Sequence, residues 1–284
     1  MNPTNSGSLL LLGLLGFSAS GCLTAVDDDE AVDMVDGLES ALEGPNALTP
    51  NALTPNALTP NALTPNALTP NALTPNSLSA SALAAIKSPT QEGALSRQLL
   101  KYTVGCALDP VQSFTFSWTD SKGKSQTETY FGILGLAPSW SNKPLAGSDQ
   151  AWVSACLASR VNWYGVSVTI SSRGGHPGLN KSGSSELMTY GMAEGAFWGN
   201  LFSSTPYVFA CHYSPNIDYS RSQSRDCAAG HLQPNGSVAE CGIVDIVGAC
   251  EALCQPLTNS GKYYPSCTGP DGVSSGAVMT TFLM

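Results

Sequence analysis

Nine cysteines constrain this 284-residue chain more than any other feature, because of where they stand. Eight lie between positions 106 and 267: Cys106, Cys156, Cys211, Cys227, Cys241, Cys250, Cys254 and Cys267. The ninth, Cys22, sits far from them near the start. An even set in one region of an exported chain reads as a disulfide framework. Eight cysteines allow about a hundred pairings, and residue spacing favours one pair. Leu95, Leu99, Tyr102 and Cys106 recur at helical spacing, and so do Trp152, Val153, Cys156, Leu157 and Val161 on a second helix starting near Ser148. Each cysteine falls on the apolar stripe of its helix, so a Cys106–Cys156 bond joining the two helices is expected. The other six cysteines fall within 57 residues rich in Gly, Ser, Asn and Pro, which predicts a loop-rich, stapled subregion.

Export is legible at the other end. Residues 9–17 read Leu-Leu-Leu-Leu-Gly-Leu-Leu-Gly-Phe, too short for a membrane span of about 20 residues but suited to the apolar core of a signal peptide. Ala19-Ser20-Gly21-Cys22 follows and resembles the lipobox of bacterial lipoproteins. The resemblance implies cleavage after residue 21 and acylation of Cys22. No Lys or Arg precedes the apolar run, and Ala19 stands where leucine is commonest in that motif. Cys22 is also the odd cysteine out, so lipid attachment leaves an even set for disulfides.

Charge separates the segments. Of 21 acidic residues, eight (Asp27, Asp28, Asp29, Glu30, Asp33, Asp36, Glu39 and Glu43) lie in one run without a base. Residues 22–45 are therefore expected to stay solvated. From residue 77 onward 13 acids face 12 bases. That near-neutral body offers no basic stripe, which sets nucleic-acid binding aside.

Residues 46–75 are six copies of Asn-Ala-Leu-Thr-Pro, followed by a decayed seventh, Asn76-Ser77-Leu78. The order before Leu is the reverse of that in square β-helix pentapeptide repeats. A five-residue step rotates successive leucines about 140° on a helix and sends them to opposite faces of a strand. Proline every fifth residue removes amide donors and pushes the preceding Thr toward extended geometry. A semi-extended linker over residues 46–78 is the expectation, reaching roughly 90 Å at ~3.1 Å per residue.

The folded region is expected over residues 79–284, where all five tryptophans lie. Phe114, Phe116 and Trp118 alternate with Thr115, Ser117 and Thr119, and Val166, Val168 and Ile170 alternate with Ser167, Thr169 and Ser171. Both patterns predict half-buried strands. Asp120-Ser121-Lys122-Gly123 marks a turn leading into Thr127–Leu134 as hairpin partner. Residues 206–213 and 277–283 are further strand candidates. Helices and antiparallel strands without a βαβ rhythm predict an α+β fold.

Candidate chemistry is sparse. Cys250-x3-Cys254 with Cys241, and His212 or His231 as fourth ligand, has the donor types of a zinc site, but export favours disulfides and no metal or cofactor is expected. His176 sits in the loop Arg173-Gly174-Gly175-His176-Pro177-Gly178, without any Gly-x-Ser-x-Gly elbow. Glu194 opens Glu194-Gly195-Ala196-Phe197-Trp198-Gly199-Asn200, a segment suited to a tightly packed core. Trp118 and Trp152 fall on buried stripes. Neither a phosphate-binding glycine loop nor His-Glu-x-x-His is present.

The lipobox, the repeat array and the stretches Tyr102–Leu108 and Glu194–Phe202 together resemble myxobacterial-type secreted lipoproteins with a short repeat stalk and a cysteine-rich domain. The resemblance implies a location, not a reaction. Leu23 replaces the Asp that favours inner-membrane retention in related lipoproteins, so the outer membrane is expected. The reading is a lipid-anchored envelope protein, a binding or structural module on a stalk, whose partner beyond the membrane is a surface glycan or a protein. The alternative is a surface hydrolase using Glu194 or His176.

Overall fold

The computed structural model describes residues 47–48, 72–74, 77–180, 182–258 and 261–284. The expected signal segment, Cys22, the acidic segment and repeat residues 49–71 lie outside them. All described residues belong to one compact unit, Val35–Met284, and the fold is α+β with four disulfides.

In chain order the strands are β1 Ala47–Leu48, β2 Ser113–Thr119, β3 Ser125–Phe131, β4 Ile170–Arg173, β5 Met192–Asn200, β6 Tyr207–His212, β7 His231–Leu232, β8 Val238–Ala239, β9 Val244–Ala249, β10 Cys267–Thr268, β11 Ser274–Ser275 and β12 Met279–Leu283. The helices are α1 Ala80–Lys87, α2 Gln91–Ala107, α3 Gly147–Ser159, α4 Ser184–Thr189, α5 Ile217–Ser222 and α6 Cys250–Leu253. Six strands form one sheet in the order β1-β4-β12-β5-β6-β9, antiparallel except for the β6/β9 pair. Three two-stranded ribbons, β2–β3, β7–β8 and β10–β11, stand apart from it. Among the described residues no helix is long and apolar enough to cross a membrane.

Both expected helices form where their periodicity placed them. Thr90 caps α2 through its side-chain oxygen, which accepts from the Gly93 amide, satisfying one of the orphan donors of the first turn. Leu99, Leu100, Val104 and Cys106 are buried along it. Helix α3 starts at Gly147 and is buried from Val153 to Ser159. Cys106 and Cys156 are bonded, as the two stripes required. The hairpin forms as well, with its second strand two residues earlier than expected, at Ser125. Its inner face carries Phe114, Phe116 and Tyr130 and its outer face only Ser, Thr and Phe131. Trp118 is only half-buried: Arg97 lies 3.6 Å above its ring, and its indole donates to Glu128.

The alternation at 166–171 misleads. The strand begins only at Ile170 and runs to Arg173, with all four residues buried, while Val166 is 46% exposed. A strand needs a neighbour to pair with: Ser171, Ser172 and Arg173 lie beside β12, and Ile170 and Ser171 beside β1. Within it Arg173 donates to Ser171 and to the Tyr190 carbonyl, and Ser171 donates to Glu186. Burial pushes the Arg173 guanidinium down to about 10, opposed by Glu186.

Strand β5 shows why the main sheet carries little polar alternation. Period two sends Phe197 to the core shared with α2 and α3, and Ala196 and Trp198 to a second core on the opposite face. With both faces covered, residues 193–199 are all buried. Gly195 is required by close approach: a Cβ there would stand 2.1 Å from the Cys211 carbonyl oxygen. The second core holds Tyr264, Cys211, Cys250 and Cys267, with the Cys211–Cys250 and Cys254–Cys267 bonds beside it. The main core also reaches back before Ser79, for Leu73 is 3% exposed and Leu78 is 8% exposed.

Candidate functional site

Acid–base chemistry concentrates where the chain leaves α3 and where it leaves α5. Helix α5 ends in a Schellman cap: the Ser224 amide donates to the Arg221 carbonyl and the Arg225 amide to the Ser220 carbonyl. Ser224 takes φ +56° at the position where glycine is usual. This turn delivers Arg225 and Asp226 inward, and the adjacent Cys227–Cys241 bond holds the loop.

Arg225 is the anchor. Its Nε and Nη2 donate to the two carboxylate oxygens of Glu194 at 3.0 and 3.1 Å, and both side chains are fully buried. The same guanidinium donates to the Val161 and Ser159 carbonyls at 2.9 Å each, tying the end of α3 to β5. Asn162 donates from its side chain to the Ser224 carbonyl and accepts from the Tyr164 amide. Together these bonds fix the Trp163–Tyr164 turn against the Asp226 loop. Next to them Arg160 is buried, with Nη1 lacking a hydrogen-bond partner among the described residues. Burial pushes its guanidinium down to about 9, opposed by Tyr102 and reinforced by Arg225.

Asp226 and His231 form a dyad in the space so defined. The His231 Nδ1 lies 2.7 Å from Asp226 Oδ2, with the carboxylate 2% and the imidazole 16% exposed. Tyr164 also donates to Asp226 Oδ2, at 3.2 Å, while Asp226 Oδ1 is buried without a partner among the described residues. The imidazole stacks on Trp163 at 4.2 Å and 9° and meets the edge of Tyr164 at 5.5 Å. Strand β7 carries His231 opposite Ala239 of β8, which sets the ring's direction. Partial burial, then the Asp226 charge, raises the Tyr164 hydroxyl above its ordinary pKa. A carboxylate on Nδ1 favours the tautomer with its proton there, leaving Nε2 as an acceptor. That is the geometry of an oriented general base.

The residues expected from sequence do other work. Glu194 is held by Arg225. His176 accepts the Gly178 amide at Nδ1, capping the turn Pro177–Leu179, and its ring packs 5.3 Å from Trp152. His212 has a buried Nδ1 without a hydrogen-bond partner among the described residues. Burial lowers its pKa, with Glu251 opposing and Arg221 adding to the shift. Cys241, Cys250 and Cys254 are each bonded to another cysteine. Two clusters of three ligand-type atoms occur among the described residues, Cys211/Cys254/Cys267 and Asp226/Cys227/Cys241. Each contains a disulfide, whose sulfurs lack the thiolate charge that binds zinc. His231 had been visible only as a zinc candidate, and Asp226 not at all. The five-residue Asp226–His231 spacing, with Asp226 directly before Cys227 and His231 within the Cys227–Cys241 loop, is the available signal.

No family model, no curated protein and no solved structure matches this chain.

Proposed function

We propose that the protein is a lipid-anchored component of the cell envelope, held through Cys22 at the outer membrane, with its stapled body serving as a recognition module. One observation carries this reading: the eight body cysteines are consumed in four disulfides, leaving Cys22 as the one spare cysteine. Such a body needs an oxidising compartment. The ligand surface is the Trp163–Tyr164–His231 cluster, where Tyr164 is 49% exposed beside a hydrogen-bonding imidazole. An exposed aromatic ring next to a polar acceptor suits a surface glycan, whose sugar rings present apolar faces and hydroxyl edges.

Intact-mass analysis of the membrane-extracted protein, before and after reduction, tests the anchor. Loss of residues 1–21, added acyl mass and a gain of eight protons on reduction are expected; an unmodified Cys22 overturns it. Binding to purified envelope polysaccharide, lost in Tyr164→Ala, tests the ligand surface.

The Asp226–His231 pair favours a second reading, a hydrolase in which His231 Nε2 takes a proton from water. His231→Gln distinguishes the two. Under the first reading it weakens binding with no turnover to lose; under the second, glycan cleavage by the wild-type protein stops while binding persists.

A further inference from the structure

Among the described residues the repeat array touches the body at two places, and both use the same residues of the motif. In the sixth copy Leu73 is buried in the main core and its amide donates to the Trp140 carbonyl at 2.7 Å. In the first copy Ala47–Leu48 forms β1, which pairs antiparallel with β4 as Ala47↔Ser171 and Leu48↔Ile170. Ala47-Leu48 and Ala72-Leu73 are equivalent positions five periods apart.

Strand β4 would be the edge of the six-stranded sheet without β1. An open edge is a template for any extended segment, and the register shows what this one accepts. Every copy sits between prolines, Pro-Asn-Ala-Leu-Thr-Pro, so a docked copy offers a two-residue ladder, then a threonine, then a proline without an amide donor. Proline on the covering strand stops further sheet growth. A slip of one residue exchanges the side chains facing each side, and a slip of two to four brings proline or the residues beside it onto the ladder. A slip of five restores identical residues at identical sites, so copies differ only in the chain length between them.

We propose that the outer edge of β4 is a receptor for the Asn-Ala-Leu-Thr-Pro unit of this chain's own array, and that successive copies are interchangeable on it. The array is then an adjustable tether. Each change of docked copy adds or removes five residues on the side toward Cys22, ~15 Å at ~3.1 Å per residue. Docking stands independently of the lipid anchor, since it needs only the array and the body.

Amide hydrogen exchange over residues 168–173 of the purified protein reads the site. Deleting copy one (residues 46–50) is expected to leave protection unchanged, because copy two takes its place. Deleting copies one to five (residues 46–70), with Leu73 kept, is expected to speed exchange by at least about tenfold. A synthetic two-copy peptide should then restore protection, and an order-scrambled peptide should not. Loss of protection on deleting copy one alone overturns interchangeability, and no loss on deleting residues 46–70 overturns docking. Protection of the intact chain that falls on dilution overturns the intramolecular assignment and places a second molecule's array on the edge. Residue 130–140 exchange, followed in the same samples, reports whether a deletion has unfolded the body.

Discussion

On one face of the main sheet, α1, α2, α3 and the β2–β3 hairpin enclose a continuous core from Leu73 to Met279, which includes two disulfides, Cys106–Cys156 and Cys227–Cys241. On the other face a core of eight buried residues lies beneath short ribbons and loops, with Cys211–Cys250 and Cys254–Cys267 in or beside it. Apolar burial holds the first region, at roughly 25 cal/mol for each Å² removed from water. The second has too little apolar area to fix its loops that way, and covalent bonds restrict them instead, as in small exported domains. Each region has two disulfides, but the second has far fewer buried residues for them to supplement, so disulfides per unit of core rise where the core is small. Arg225 and Glu194 connect the end of α3 with β5 and the Asp226 loop, so that the candidate site draws on both kinds of support.

Breaking that connection should have the largest effect. Arg225→Met leaves the Glu194 carboxylate buried and unpaired, which costs about 3–5 kcal/mol in urea unfolding; replacing both partners with apolar residues should cost less than the sum of the single changes. Removing disulfides tests the contrast directly. By chain entropy alone, Cys106–Cys156 closes a separation of 50 residues and is worth about 4 kcal/mol, against about 3 for the 13-residue Cys254–Cys267 separation. If core size governs the need for staples, Cys254→Ser with Cys267→Ser nevertheless gives the greater local proteolysis, within residues 250–275. Equal proteolysis in the two double variants would end the comparison. Leu73→Ala should destabilise by about 2–4 kcal/mol as a core truncation, showing that the sixth repeat belongs to the body.

The pH dependence is smaller. Burial lowers the folded-state pKa of His212, so on acidification the unfolded chain takes up this proton first. Its contribution is fully present above the unfolded pKa of about 6.5 and is lost as pH falls through the folded value. His212→Gln should flatten the stability curve over that window in urea titrations. Smallest of all, Ser224→Gly relieves the left-handed backbone at the α5 cap and should stabilise by about 0.5 kcal/mol, because glycine carries no Cβ penalty there.

Periodicity made α2, α3 and the hairpin legible, because each has one face on the core and one toward solvent. Cys106 and Cys156 could be paired from the page because both lay on such stripes. Ile170–Arg173 and Met192–Asn200 gave no clean alternation, since the sheet is covered on both faces. Glu194 stayed open between packed core and a hydrolase candidate because its partner stands 31 residues away, beyond any local pattern.

By itself the sequence determined the five-residue period of the array, the helical faces and the even set of cysteines after residue 100, all properties of residue type and local spacing. Only the tertiary structure decided which strand the first repeat covers, where Leu73 goes, and that Asp226 meets His231 against Trp163. Those depend on segments far apart in the chain arriving within a few ångströms, and only the closing of both cores brings them there.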